Sequence, residues 1–375
     1  MIRKRVAQIT IGVLLLGACK SAPPAFVSAT PAPAPDSATT SAKRFYAKRP
    51  TGSEAQFNPL SLIVNGGFDQ LRTAVNRDVT AFPYGPSARQ LWRSTTNPVR
   101  PIRNYGWKNW LRNEVFPLSG KGSGGGQWYP NYHLHLFAGG MTYVRTIEWY
   151  EQHGVAHPRL AAGTTVFAWH VLTEVLENGT STTSVDGLTD LLIFDPASIL
   201  LWNQPWMSRP FGRRLEFTNW PGQPSYVPHR NQLENAYMMA MLRAPLPRTE
   251  RWKVMTTMGN AFLLGISRRL SSDALWLSVS GGFDPADNPV IDETTDAKTA
   301  TLHANAGIFL DRDGSLLVSA ITKGGSSNGL TVNVYPGAFG RSTYWPGLWA
   351  QAVRGGGARF GIATRLGFGL AGTAR

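Results

Sequence analysis

Residues Ala168 to Gly179 read AWHVLTEVLENG, which sets His170, Glu174 and Glu177 at i, i+4 and i+7. On an α-helix those three ionisable groups share one stripe, while Val, Leu and Trp fill most of the other positions. Three kinds of chemistry suit the pattern. A divalent metal would take His170 and Glu174 with a carboxylate such as Glu148 or Glu151 from a neighbouring helix. A metal-free acid/base site would pair His170 with Glu174 and serve a hydrolase at a membrane interface. A structural network would only satisfy the polar groups and fix helix register.

The structural reading is preferred. His-x-x-x-Glu recurs by chance and lacks the specificity of H-E-x-x-H, so no metal and no cofactor are expected. The catalytic set of the enzymatic alternative is His170, Glu174, Glu177 and Glu148. The polar network would add His133, Glu151, Asp186 and Asp190.

These residues must be held by helices. Asn131 to Gly154 lacks proline and ends at glycine, with His133, Gly140, Val144 and Glu151 along one face. Gly139-Gly140 would weaken such a helix by about 1 kcal/mol each relative to Ala, so close approach by another helix is expected there. His135 is offset from the His133 stripe and is expected to face elsewhere. Leu160 to Glu177 reads as a second helix, stopped by Asn178-Gly179. In VDGLTDLLIFDPASILLW the pair Asp195-Pro196 reads as an N-cap followed by proline at N1, so Asp195 is expected to cap a helix. The helices are apolar nearly all round and therefore buried. Their carboxylates then need partners, and Arg145 and Arg159 are the only Lys or Arg between Trp128 and Pro205.

Charge divides the chain. The net charge is +14, yet Trp128 to Pro205 holds two Lys/Arg against seven Asp/Glu, a net of −5. The sequence opens MIRKRVAQITIGVLLLGAC, a basic start, a short apolar run and small residues, which is a secretory signal. Leu16-Gly17-Ala18-Cys19 resembles the lipobox of bacterial lipoproteins, which implies cleavage before Cys19, acylation of its thiol and an outer-membrane location. Nucleic acid is excluded as a partner by that address. The expected partners are outer-membrane lipids, through the acyl anchor and through anionic headgroups or lipopolysaccharide.

The expected divisions are a signal peptide over residues 1–18, a Pro/Ala/Ser-rich tether over 19–57, a basic aromatic-rich lead-in over 58–127, the acidic helical segment over 128–205 and a β-domain over 206–375. From Arg214 onward the apolar period becomes 2, as in KTATLHANAGIFLD and ARFGIATRLGFGLAG. Nine such runs argue for an α+β chain, a buried helical segment followed by an antiparallel β-barrel, membrane-type or soluble, of about eight to ten strands. The glycine run GKGSGGGQ lacks a P-loop context and reads as a loop; GSSNG at Gly325 to Gly329 reads as a turn, not a nucleophile elbow.

The order of YHLHLFAGG, EWYEQHG, LTEVLEN and DLLIFDPASILLWN ahead of the strands resembles an uncharacterised bacterial envelope family, domain of unknown function 3943. The resemblance implies an architecture and an envelope location, no activity, and polar motif residues at His133, Glu148, Glu174, Asp190 and Asp195.

Overall fold

The computed structural model describes residues 45–72, 77–117, 129–180, 184–259, 261–285, 290–291, 298–299, 302–324, 328–340 and 345–374. Cys19, most of the expected tether and the run GKGSGGGQ lie outside them. The chain is α+β: helices fill the first half and a mostly antiparallel sheet the second.

The helices are α1 (Pro59–Phe68), α2 (Tyr84–Thr96), α3 (Val99–Tyr105), α4 (Trp107–Trp110), α5 (Gly140–Gln152), α6 (Pro158–Asn178), α7 (Val185–Thr189), α8 (Asp195–Trp202) and α9 (Pro205–Arg214). Two π-helical segments, Tyr129–Gly139 and Asp190–Phe194, lead directly into α5 and α8. A reciprocal cap starts α1, where Asn58 Oδ1 accepts from the Ser61 N–H and the Ser61 hydroxyl faces the Asn58 N–H. Ser184 caps α7 through the Gly187 N–H. Gly179, at φ 57°, ends α6 where Asn178-Gly179 was expected to end it.

Close packing falls where the sequence has glycine. A Cβ at Gly140 would collide with the Trp202 indole, and one at Gly66 with the Trp169 indole, so the indole of α8 lies directly on the α5 backbone and that of α6 on the α1 backbone. The described residues of the basic aromatic-rich lead-in are largely helical. Residues 45–57, read as the end of the tether, are packed: Phe45, Tyr46 and Phe57 are buried.

The strands are β1 (Glu216–Pro221), β2 (Ser225–Val227), β3 (Gln232–Glu234), β4 (Met238–Pro245), β5 (Trp252–Gly259), β6 (Phe262–Arg269), β7 (Leu275–Pro285), β8 (Val290–Ile291), β9 (Lys298–Thr299), β10 (Leu302–Arg312), β11 (Ser315–Lys323), β12 (Asn328–Val334), β13 (Gly347–Val353), β14 (Ala358–Ala363) and β15 (Gly369–Ala374). All but β8 and β9 form one sheet of thirteen strands, ordered β1-β4-β5-β6-β7-β10-β11-β12-β13-β14-β15-β2-β3. Strand pairing leaves this sheet open, and it has more strands than the expected eight to ten. Two of the expected runs are hairpins, Trp252 to Ser267 and Ala358 to Gly372, and β2 and β3 are short additions. Among the described residues the only parallel pair is β15 with β2. Because β1 continues through Gly222 to Pro224 into β2, one stretch of chain links the two ends of the ladder.

The sheet is curled. Arg243 on β4 pairs with Asp311 on β10 at 2.5 Å, although β5, β6 and β7 lie between those strands. The helices dock on the sheet through Arg145 of α5, wholly buried. Its guanidinium donates to the Asn219 carbonyl of β1 at 3.1 Å and to Glu54 at 3.0 Å, and stacks on Phe57.

Candidate functional site

Helix α6 buries Ala162, Val166, His170 and Glu174 at successive i+4 positions. The upper half of this stripe is apolar and packs in the core with Met141 and Tyr143; the lower half presents the imidazole and the carboxyl to the α7–α8 region. His170 Nδ1 lies 2.6 Å from Asp195 Oδ1, the first residue of α8. The same oxygen lies 2.9 Å from His135 Nδ1, carried by the first π-helical segment. The two imidazoles meet edge to face with centroids 4.9 Å apart. On its other side His135 Nε2 is 3.4 Å from Asp190 Oδ2, on the second π-helical segment. His170, Glu174, Asp190 and Asp195 are all buried.

Two expectations are corrected here. His135 was expected to face away from the site and instead enters it. The offset assumed 3.6 residues per turn, whereas π-helical turns are wider, so residues 129–139 change phase relative to α5. Asp195 was expected to cap α8, but its backbone is helical at φ −66° and no side-chain cap bond forms. Its carboxylate is spent on the two histidines. A carboxylate inside LLIFDPASILLW is costly unless partnered, and that cost was the available signal.

A carboxyl cluster adjoins the histidines. Glu174 Oε2 accepts from Asn178 Nδ2 at 3.0 Å, and a Cβ at Gly187 would collide with the same carboxyl, so Gly187 makes room for it. Glu114, which the sequence reading passed over, is buried; its Oε1 accepts from the Tyr105 hydroxyl at 3.3 Å, and its backbone carbonyl accepts from Asn131. Asp186 is an electrostatic neighbour of Glu114, Glu174 and Asp190.

Burial, reinforced by Glu177, Asp190 and Asp186, pushes Glu174 well above the usual carboxylate range. Burial, with Asp186 and Asp195, does the same to Asp190. In both, burial favours the protonated carboxyl, the form that donates a hydrogen bond. Burial and then Asp186 push Glu114 up to about 8. Burial also opposes ionisation of Asp195, but the two imidazoles outweigh it and hold this carboxyl down at about 2. Burial opposes charging of His135 as well, and Asp195 outweighs it, so His135 is raised. An aspartate held ionised between two imidazoles, beside further buried carboxyls, can hold a proton or a cation.

The remaining expected residues lie around this centre or apart from it. Glu177 reaches Glu174 and Asp190 electrostatically. His133 is half-buried, and burial lowers its pKa. Glu148 accepts from the Tyr46 N–H at 2.7 Å, eight residues along α5 from Gly140 and so roughly 12 Å down its axis. Glu151 is exposed. A separate cleft on the inner face of the sheet is lined by Arg77, Glu234, Asn235, Tyr237, Lys323 and Gln351 among others. Compared with protein-family models, curated proteins and solved structures, the chain has no match.

Proposed function

We propose that this is a lipid-anchored protein of a bacterial outer membrane that organises the envelope without catalysing a reaction. In this reading Cys19 carries the acyl chains, the curled sheet turns its outer face to lipid, and the helices hold a folded unit against its inner face. One observation carries the reading: on five strands large apolar side chains face outward while polar ones are buried. On β6, Phe262, Leu264 and Ile266 are exposed while Ser267 is buried; on β14, Phe360 and Ile362 are exposed while Arg359 is buried. Strands β7, β10 and β13 repeat the pattern, with Val279, Ile308 and Leu348 outside and Ser278, Asn305 and Gln351 inside. A water-soluble sheet places its apolar face inward, and a lipid-embedded one does the opposite.

The interior is filled by Trp220, Phe309, Tyr335 and the Arg243–Asp311 pair, which supports a holding role over binding or passage of lipid or another amphiphile. Among the described residues no helix is long and apolar enough to cross a membrane, so contact with the bilayer core falls to the sheet and the acyl chains. Arg77 and Lys323 in the inner cleft suit anionic headgroups.

Fractionation of cells expressing the wild type and Cys19→Ala tests this. The expected result is that both resist an alkaline wash of the membranes and need detergent for release, while only the wild type carries lipid on the peptide beginning at Cys19. A Cys19→Ala chain that is soluble and monodisperse without detergent overturns the embedded sheet.

A further inference from the structure

We propose that His135, His170 and Asp195 form a binding site for one divalent first-row transition-metal ion. This goes beyond the envelope reading and does not depend on it. Each residue brings one ligand atom, from three separate elements: the first π-helical segment, α6 and the start of α8. These atoms all lie within 4.8 Å of one another. Two imidazoles and one carboxylate are the donor set that zinc, manganese and iron share.

Three further features point to a cation. First, the carboxylate is under-used by the protein: Asp195 Oδ2 is buried without a hydrogen-bond partner, and so is Asp190 Oδ1. Second, His170 Nδ1 sits 2.6 Å from Asp195 Oδ1 without the alignment of a good hydrogen bond, so this nitrogen and oxygen face a common point. Third, the principal charged neighbours of Asp195 and Asp190 are the imidazoles and other carboxylates, with no lysine or arginine among them. An ionised carboxylate buried here needs a positive partner, and a bound ion supplies that charge in place of a protonated imidazole. Ligands bonded at about 2.0–2.2 Å stand further apart than 2.6 Å, so the Asp195 carboxylate must draw back slightly to admit the ion. Asp190, 3.4 Å from His135 Nε2, is placed to orient that ring, as outer carboxylates do for metal-bound histidines. Gly139 leaves room beside the His170 ring, where a Cβ would stand 3.4 Å from its Cε1.

The test uses the full chain in detergent, stripped with a chelator and titrated with zinc by calorimetry, alongside elemental analysis of the protein as purified. The expected result is about one ion per chain, a rise in Tm on loading, and at least tenfold weaker binding in His135→Gln and Asp195→Asn. Glu148→Gln, outside the site, should bind as the wild type does. Cobalt loading should give visible d–d bands that shift in His135→Gln. No saturable binding by the wild type overturns the site, as does zinc binding that both ligand variants leave unchanged. The wild-type measurement stands even if a variant fails to fold.

Discussion

Arg243 and Asp311 form an ion pair across the inside of the sheet, with both side chains wholly buried. Their strands are separated by three others in the ladder, so the pair reports the curl and helps to hold it. Removing Asp311 leaves the buried Arg243 with only the longer contact to Glu216 at 3.4 Å, at a cost of up to roughly 3–5 kcal/mol. Asp311→Ala is therefore expected to lower thermal stability sharply. Arg243→Met combined with Asp311→Leu should recover most of that loss, because an apolar pair leaves no charge unpaired. Unfolding curves of the three proteins in one detergent check this; a double variant as unstable as the single one would refute it.

Gly140 and Trp202 set how closely α5 and α8 approach. A methyl group at Gly140 collides with the indole, which is itself fixed by Nε1 donating to the Leu136 carbonyl at 2.9 Å. Helix propensity alone favours alanine by about 1 kcal/mol. Overpacking opposes it by about 1–3 kcal/mol, occasionally more, and the rigid ring leaves little relief. Gly140→Ala is expected to destabilise. By contrast a Cβ at Gly154, which ends the turn after α5 at φ 71°, meets nothing within 4 Å, so Gly154→Ala costs only backbone strain. Equal losses for the two variants, read by thermal unfolding, would show that the indole yields.

Much of this architecture is legible in the residues themselves. The switch from period 3.6 to period 2, the stop at Asn178-Gly179, the close approach at Gly139-Gly140 and the burial of His170 and Glu174 each follow from a local signal that tertiary packing leaves intact. The centre was legible only in part. Finding His135 required the helical pitch of residues 129–139, which no apolar pattern specifies, and Asp195-Pro196 satisfies the rule for a cap while serving another purpose. Helices α2 to α4 were missed because their buried positions are few: α2 buries only Ser87, Leu91 and Ser94. The two hairpins read as single runs because the period-2 pattern continues on both sides of a short turn.

Glu114 makes stability depend on pH. Its carboxyl is held up at about 8 in the folded chain, by burial and then by Asp186, against an ordinary 4.5. Below pH 4.5 it is protonated folded or unfolded, and this contribution is fully present. Between 4.5 and 8 only the unfolded chain ionises, so stability falls as pH rises, by up to about 1.4 kcal/mol per pH unit. Glu174 and Asp190 push in the same direction, so Glu114→Gln should flatten the decline without abolishing it. Melting temperatures from pH 5 to 9 check this: the variant's advantage must grow with pH, and parallel curves would remove Glu114 from the account.

The outer face of β14 separates a lipid-facing sheet from one covered by a protein partner. Ile362 is 54% exposed and Phe360 52%, while the inward-facing Arg359 is buried against Glu234 at 3.0 Å. If lipid covers this face, Ile362→Arg moves a charge into the bilayer, costing about 2–4 kcal/mol near its midplane and little near its edges. Leu264→Arg on β6 and Ile308→Arg on β10, which are exposed on the same apolar face, should then lose stability in lipid vesicles in proportion to depth, and none should become soluble. If a protein partner covers the face instead, the same arginines release the partner and raise solubility without detergent. The sign of the solubility change in a Cys19→Ala background therefore distinguishes the two, because the acyl anchor can no longer mask it.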